Sequence, residues 1–149
     1  MASRLKMDAW PVEIIPDPDS LFYRVSVGWL KPGDTRVAPG HFRVNKGSMS
    51  CDWQKYSTAA ETRSRQGAPE RFAVIRMIAG KVREIDILSV IHSPIRGVEG
   101  QVDNRAHTSI FGLERSAATG AIHGQKEKIR TELYGQFHTW EIEPNAPIV

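Results

Sequence analysis

A chain of 149 residues is the size of one domain and can bury about two-thirds of the surface its unfolded form exposes. Its 40% apolar and 25% charged residues suit a soluble globular protein, and the lack of any run of about 18 apolar residues argues against a membrane-spanning helix. A single cysteine, Cys51, excludes an intramolecular disulfide and a cysteine-rich zinc site. No apolar core follows the basic Arg4 and Lys6, so the expectation is a cytoplasmic protein of bacterial type without a secretory signal.

The formal charge of +3 is unevenly spread. Residues 1–20 carry two basic and four acidic groups, and residues 131–149 carry three acidic groups and no basic one. The body between them holds eighteen Lys/Arg against ten Asp/Glu. Along one stretch Arg63, Arg65, Arg71, Arg76, Lys81 and Arg83 meet only Glu70 before Glu84. Such a body attracts phosphate-bearing partners through its summed field, which makes a nucleotide or RNA the expected ligand. A protein partner or a second copy of the chain is the other candidate; no membrane partner is expected.

Pro11, Pro16 and Pro18 make residues 1–20 an irregular arm, with 12–15 laid along a sheet edge. Tyr23, Val25, Val27 and Trp29 alternate with Arg24, Ser26 and Gly28, which predicts a half-buried strand over 22–29. Lys31-Pro32-Gly33-Asp34 ends it as a turn. Residues 41–44 form a second short alternating segment. Thr58 and Glu61 have the spacing of a capping box, predicting a helix over about 59–66 that stops at Gly67. The apolar runs 72–78 and 85–91 read as strands, the first of them central, and 106–111 as a shorter third. Ile122, Ile129, Leu133 and Phe137 form one apolar stripe of a helix over 122–134, with Lys126, Glu127, Lys128 and Arg130 facing water. Residues 139–149 read as an acidic, proline-rich tail or an edge strand, and deleting 144–149 is expected to leave stability unchanged. The sum is a single α+β domain over 21–138, a mainly antiparallel or mixed sheet with two helices.

The richest chemistry lies in Asp103-Asn104-Arg105-Ala106-His107-Thr108-Ser109, with Ile91-His92-Ser93-Pro94 upstream. Histidine titrates near neutrality and can take and return a proton. If the strand ending at Ile91 pairs with the one starting near Ala106, His92 and His107 can face one cavity. Alternation then puts His107 and Ser109 on one face and Thr108 on the other. Two imidazoles with Arg105 on the developing charge would cleave a phosphodiester, giving a phosphodiesterase or ribonuclease-type activity. Asp103 and Ser109 join the site as substrate-binding groups, and Arg24 as a second phosphate holder.

His92, Asp103 and His107 could also ligate zinc or iron, but their separations follow no metal-site pattern, so no metal and no cofactor is expected. Asp52 beside Cys51 raises the thiol's pKa, which makes the cysteine structural rather than nucleophilic. A non-catalytic module that binds nucleic acid or protein through its basic face is the alternative to an enzyme.

Three resemblances bear on these residues. His107-Thr108-Ser109 resembles one half of a two-histidine phosphoesterase, but His92-Ser93-Pro94, His123-Gly124-Gln125 and His138-Thr139-Trp140 supply no second copy. Arg24 on an early strand, followed by Ser48, Ser50, Trp53, Lys55, Tyr56 and Ser57, resembles the start of ADP-ribosyltransferase-type domains. That likeness implies an NAD-using domain, with Arg24 on a pyrophosphate, Tyr56 or Trp53 stacked on a ring, and a glutamate late in the chain (Glu114, Glu132 or Glu141) as the catalytic group. Finally, Phe22-Tyr23-Arg24-Val25, the segment 49–58 and Asn104-Arg105-Ala106-His107 resemble small bacterial proteins without an assigned activity, over roughly residues 20–112.

Overall fold

The computed structural model describes residues 8–45, 47–113 and 120–148, the side chains of 120–126 excepted. Its strands are β1 (Ser20–Ser26), β2 (Met49–Trp53), β3 (Phe72–Ile78), β4 (Ser89–His92), β5 (His107–Phe111) and β6 (Trp140–Ile142). All pairings are antiparallel, in one six-stranded sheet of order β4-β5-β2-β1-β3-β6. Helices α1 (Ala59–Ser64), α2 (Ala79–Arg83) and α3 (Gly120–Gln136) complete a single-sheet α+β domain. Among the described residues no helix is long and apolar enough to cross a membrane.

Side-chain alternation gives the sheet two unlike faces. One carries Leu21, Tyr23 and Val25 of β1, Met49 and Trp53 of β2, Ile75 and Met77 of β3, and Ile110 of β5, all buried in the core. Ile129, Leu133 and Phe137 join this core from α3 and the residue after it, which is why the helical stripe exists; Ile122 and Lys126 lie outside the described side chains. The opposite face carries Arg24, Ser50, Asp52, His107 and Ser109. Over part of it lies α1, capped as its spacing predicts: Thr58 Oγ1 accepts from the Glu61 amide at 3.1 Å, and Gly67 ends the segment at φ 85°.

Four predicted elements depart from the sequence reading, and two observed ones, the strand β2 and a third helix, α2, were not in it. The strand predicted for 22–29 runs Ser20–Ser26, and Val27–Trp29 wind into a 3-10 turn because Ser26 Oγ accepts from the Gly28 amide. Residues 41–44 are not a strand: Pro39–His41 form a 3-10 turn, and the Arg43 amide donates to the Tyr23 hydroxyl at 3.0 Å instead of to a neighbouring strand. In 85–91 only the end is strand. Ile85 and Leu88 are apolar because they plug the core from a turn, in which Asp86 Oδ1 accepts from the Ile87 amide and Ile87 takes φ 68°. Lastly, β3 lies one strand from the edge, between β1 and β6, rather than at the sheet's centre.

Among the described residues, the segments near both ends are held. In the arm, Ile15 is buried, the Gly80 amide donates to Asp17 O at 2.8 Å, and the Glu13 amide donates to His92 Nδ1 at 3.0 Å. At the other end β6 is an edge strand on β3 and Pro144 is buried. Arg63 of α1, 5% exposed, donates to the carbonyls of Ala146 at 2.7 Å and Pro147 at 3.2 Å. A segment docked in this way is not the dispensable tail expected of 144–149.

Candidate functional site

β1 and β2 pair at Leu21↔Trp53 and Phe22↔Asp52 and then part, while β1 stays paired with β3 along its whole length. The gap between them deepens into a cleft of about 720 Å³ on the polar face. Strand register sets its floor: Asp52 lies opposite His107, and Ser50 opposite Ser109. Thr62 and Arg65 of the α1 segment wall one side, and Ser93, Asn104 and the loop residues Gly100, Gln101 and Val102 the other.

Asp52 organises the floor. Its Oδ2 accepts from Thr62 Oγ1 and from Arg65 Nε, each at 2.8 Å, and its Oδ1 accepts from Asn104 Nδ2 at 2.8 Å. Arg65 Nη2 donates to Ser57 Oγ at 2.7 Å. A buried carboxylate satisfied on both oxygens is a fixed anchor, and it ties β2, α1 and the β4–β5 loop into one rigid unit.

His107 stands beside that anchor. Its Nδ1 lies 3.0 Å from the Ser93 carbonyl, which can only accept, so Nδ1 carries the proton. The Ser93 hydroxyl also approaches Nδ1 at 2.9 Å and contacts Ser109 Oγ at 2.8 Å. Among the described residues nothing bonds to Nε2, and it is not sealed from solvent. Burial lowers the pKa of the imidazole; the Ser93 carbonyl bond and the Asp52 charge oppose this without cancelling it. The result is a neutral imidazole with an unshared electron pair at the cleft.

Arg24 supplies positive charge. Its one hydrogen bond among the described residues is Nη1 to Thr62 O at 3.4 Å, its guanidinium lies 4.6 Å from the Phe72 ring centroid, and no carboxylate pairs with it. Burial lowers its pKa and Asp52 raises it, but a guanidinium stays charged. With Asp52 offsetting Arg65, the cleft keeps one uncompensated positive charge among the described residues.

The structure brings together only part of the predicted set. His107, Ser109 and Arg24 line the cleft. His92 does not: it pairs with Thr108, so alternation sends its ring to the core face. There it is 1% exposed, its Nδ1 accepting from the Glu13 amide and its Nε2 donating to Arg105 O at 2.7 Å, which leaves neither nitrogen for chemistry. Trp53 and Tyr56 pack edge-on and face-on against His92, at 5.1 and 6.1 Å between centroids. Trp53 Nε1 donates to Asp19 and the Tyr56 hydroxyl to Glu13. Arg105 turns away to lie 4.3 Å over the Tyr56 ring. Asp103 works in the loop, accepting from the Gly97 amide at 2.8 Å and so shaping the segment that borders the cleft.

The ring-stacking pair implied by the ADP-ribosyltransferase likeness is therefore not beside Arg24. Of that likeness's glutamates, Glu132 and Glu141 are exposed away from the cleft, and Glu114 lies outside the described residues. Nor do His92, Asp103 and His107 converge; among the described residues no three His, Cys, Asp or Glu side chains could hold a metal ion. Cys51 is buried, and burial first, then Asp52, pushes its thiol pKa up, as expected of a structural cysteine.

Asp52, Thr62, Arg65, Ser93 and Asn104 were not singled out as site residues. For Asp52 a signal exists: Met49-Ser50-Cys51-Asp52-Trp53 alternates strictly, which places Ser50 and Asp52 on one face. Asn104 has none, since its position depends on an isolated bridge between Ile95 and Asn104. The chain matches no protein-family model, no curated protein and no solved structure.

Proposed function

We propose that this chain is a histidine-dependent phosphodiesterase acting on a nucleotide or RNA, with His107 as its base and Arg24 and Arg65 as its phosphate holders. One observation carries the proposal: a neutral imidazole with a free Nε2 shares a cleft with a guanidinium that has no carboxylate partner. A phosphodiester bears a single negative charge, which the cleft's single excess positive charge matches. In the reaction Nε2 takes the proton of the attacking hydroxyl or water, the new oxygen–phosphorus bond forms, and the bond to the leaving oxygen breaks. The proton on Nε2 then passes to that leaving oxygen. Charge that builds on the phosphoryl oxygens is met by the two guanidinium groups, already oriented by Asp52 and Thr62.

The test is turnover of a dinucleotide and of a longer single-stranded RNA by the purified protein. His107→Asn should lower kcat/KM by about 100-fold or more, in the range of general base catalysis, while circular dichroism stays unchanged. Arg24→Gln should weaken transition-state binding while leaving the fold intact. Full activity in folded His107→Asn protein would overturn the proposal.

Non-catalytic binding of nucleic acid draws on a separate observation, the cation–aromatic pairs Arg43 with Trp29, which is exposed, and Arg96 with Trp10, which is half-buried, at 4.5 and 4.9 Å. Such a module would lose affinity gradually with each Lys or Arg removed and would be indifferent to His107.

A further inference from the structure

Two apolar side chains stand where the polar face of the sheet meets the edge of the cleft. Ile91 of β4 is 46% exposed and Phe111 of β5 is 40% exposed, and alternation puts both on the face of His107 and Ser109. Isolated exposed apolar residues are ordinary on any surface. These two are not isolated from each other or from the site. Ile91 pairs directly with Ser109, a cleft residue, so it is the diagonal neighbour of both His107 and Phe111. Diagonal neighbours in an antiparallel pair stand about 7–8 Å apart, within reach of large side chains.

The surrounding backbone holds this surface in place. Ile87, in the turn leading into β4, is a third exposed apolar residue and takes φ 68°, a conformation that β-branched residues rarely adopt. Its carbonyl is packed so tightly on Gly112, the residue after Phe111, that a Cβ there would sit 2.1 Å from it. The ends of β4 and β5 are thus locked to each other, and Phe111 is presented from a rigid support rather than from a loose loop.

We infer that Ile91 and Phe111 form the seat for the aromatic base of the substrate, so that the ligand is a nucleotide and not merely a phosphodiester. This rests on reading the cleft as the phosphate site. Phosphate at Arg24 and His107, ribose over Ser50 and Ser109, and base on Ile91 and Phe111 follow the rows of the sheet from β1 to β4. Hydroxyls lie under the sugar and apolar side chains under the base. Without hydrogen-bond donors or acceptors on the seat itself, the site takes purines and pyrimidines alike, as stacking platforms do.

Calorimetric titration of the full chain with adenosine 5′-monophosphate and with ribose 5-phosphate tests this, because the two probes share the phosphate and differ in the base. The wild type should prefer adenosine monophosphate by about tenfold, the lower part of what base stacking supplies. Phe111→Ser and Ile91→Ser should each erode that preference while leaving ribose 5-phosphate affinity and the melting temperature unchanged. A preference that survives in both variants, or is absent from the wild type, overturns the base seat and leaves the anion site standing. If neither probe binds, the anion site falls and the base seat with it. Should the variants instead convert a sedimenting dimer to a monomer without touching the preference, the patch is a contact between copies and the inference is wrong.

Discussion

Arg63 offers the sharpest test of how the chain's end is held. This guanidinium is buried, has no carboxylate partner among the described residues, and spends its donors on four carbonyls: Pro69, Phe72, Ala146 and Pro147. In Arg63→Met the stem still packs but the bonds are lost. Hydrogen bonds to a charged group contribute about 1.5–3 kcal/mol each, but Nε is shared between two acceptors and the outer two carbonyls can turn to water. Removing the buried charge also relieves its desolvation. The net loss should be about 3 kcal/mol, or a fall of about 6–12 °C in melting temperature for a domain of this length. Deleting 144–149 should cost a similar amount, because it strands Nη1 and Nη2 in the interior. The two changes break the same bonds, so the double variant should be more stable than their sum implies by about 1.5–3 kcal/mol. Urea denaturation followed by circular dichroism measures all three terms. Additive losses within about 0.5 kcal/mol, or a deletion variant that melts with the wild type, would refute the clamp.

Three further outcomes follow from the geometry. Gly112→Ala should unfold the domain or cost more than about 4 kcal/mol in chemical denaturation, since its φ of 121° is closed to alanine and the new Cβ meets the Ile87 carbonyl; a variant with near-native stability would contradict the packing. His92→Ala should cost about 3 kcal/mol by stranding the Glu13 amide and the Arg105 carbonyl, yet keep turnover, whereas His107→Asn should lose turnover by about 100-fold and keep its stability; equal stability losses would show the faces to be misassigned. For His107 the folded pKa lies below the ordinary 6.5, so between those values the unfolded chain takes up a proton that the folded chain refuses. Stability should therefore fall as pH drops below about 6.5, and His107→Gln should flatten part of that slope, the remainder including His41, whose pKa burial also lowers. The acid limb of kcat/KM should likewise lie below pH 6.5.

What could be read from the sequence was whatever depends on local periodicity. The capping box at Thr58, the Ile129, Leu133 and Phe137 part of the α3 stripe and the run of β3 carry their partners within a few residues, and each formed where expected. Residues 85–91 were misread because apolarity alone does not separate a buried strand from a turn that plugs the core. The clamp on the tail was invisible for another reason: Arg63 and Ala146 are 83 residues apart, and nothing in either segment announces the other.

The two histidines show where the limit falls. The division of His107 and Ser109 from Thr108 was expected on the condition that β4 pairs with β5, and that pairing is observed. What decides whether His92 joins them is the register of that pairing, and one residue of slip reverses the answer. The observed register, His92 opposite Thr108, sends one imidazole to the core and leaves the other at the cleft. The same parity places Ser93, not His92, against His107, so the carbonyl of a serine sets the tautomer of His107 and no second imidazole shares its cavity. A site built this way has one titrating histidine and a fixed positive charge. It is suited to taking a proton from a nucleophile beside an anion, and the anion and the base need not be held by the same residues.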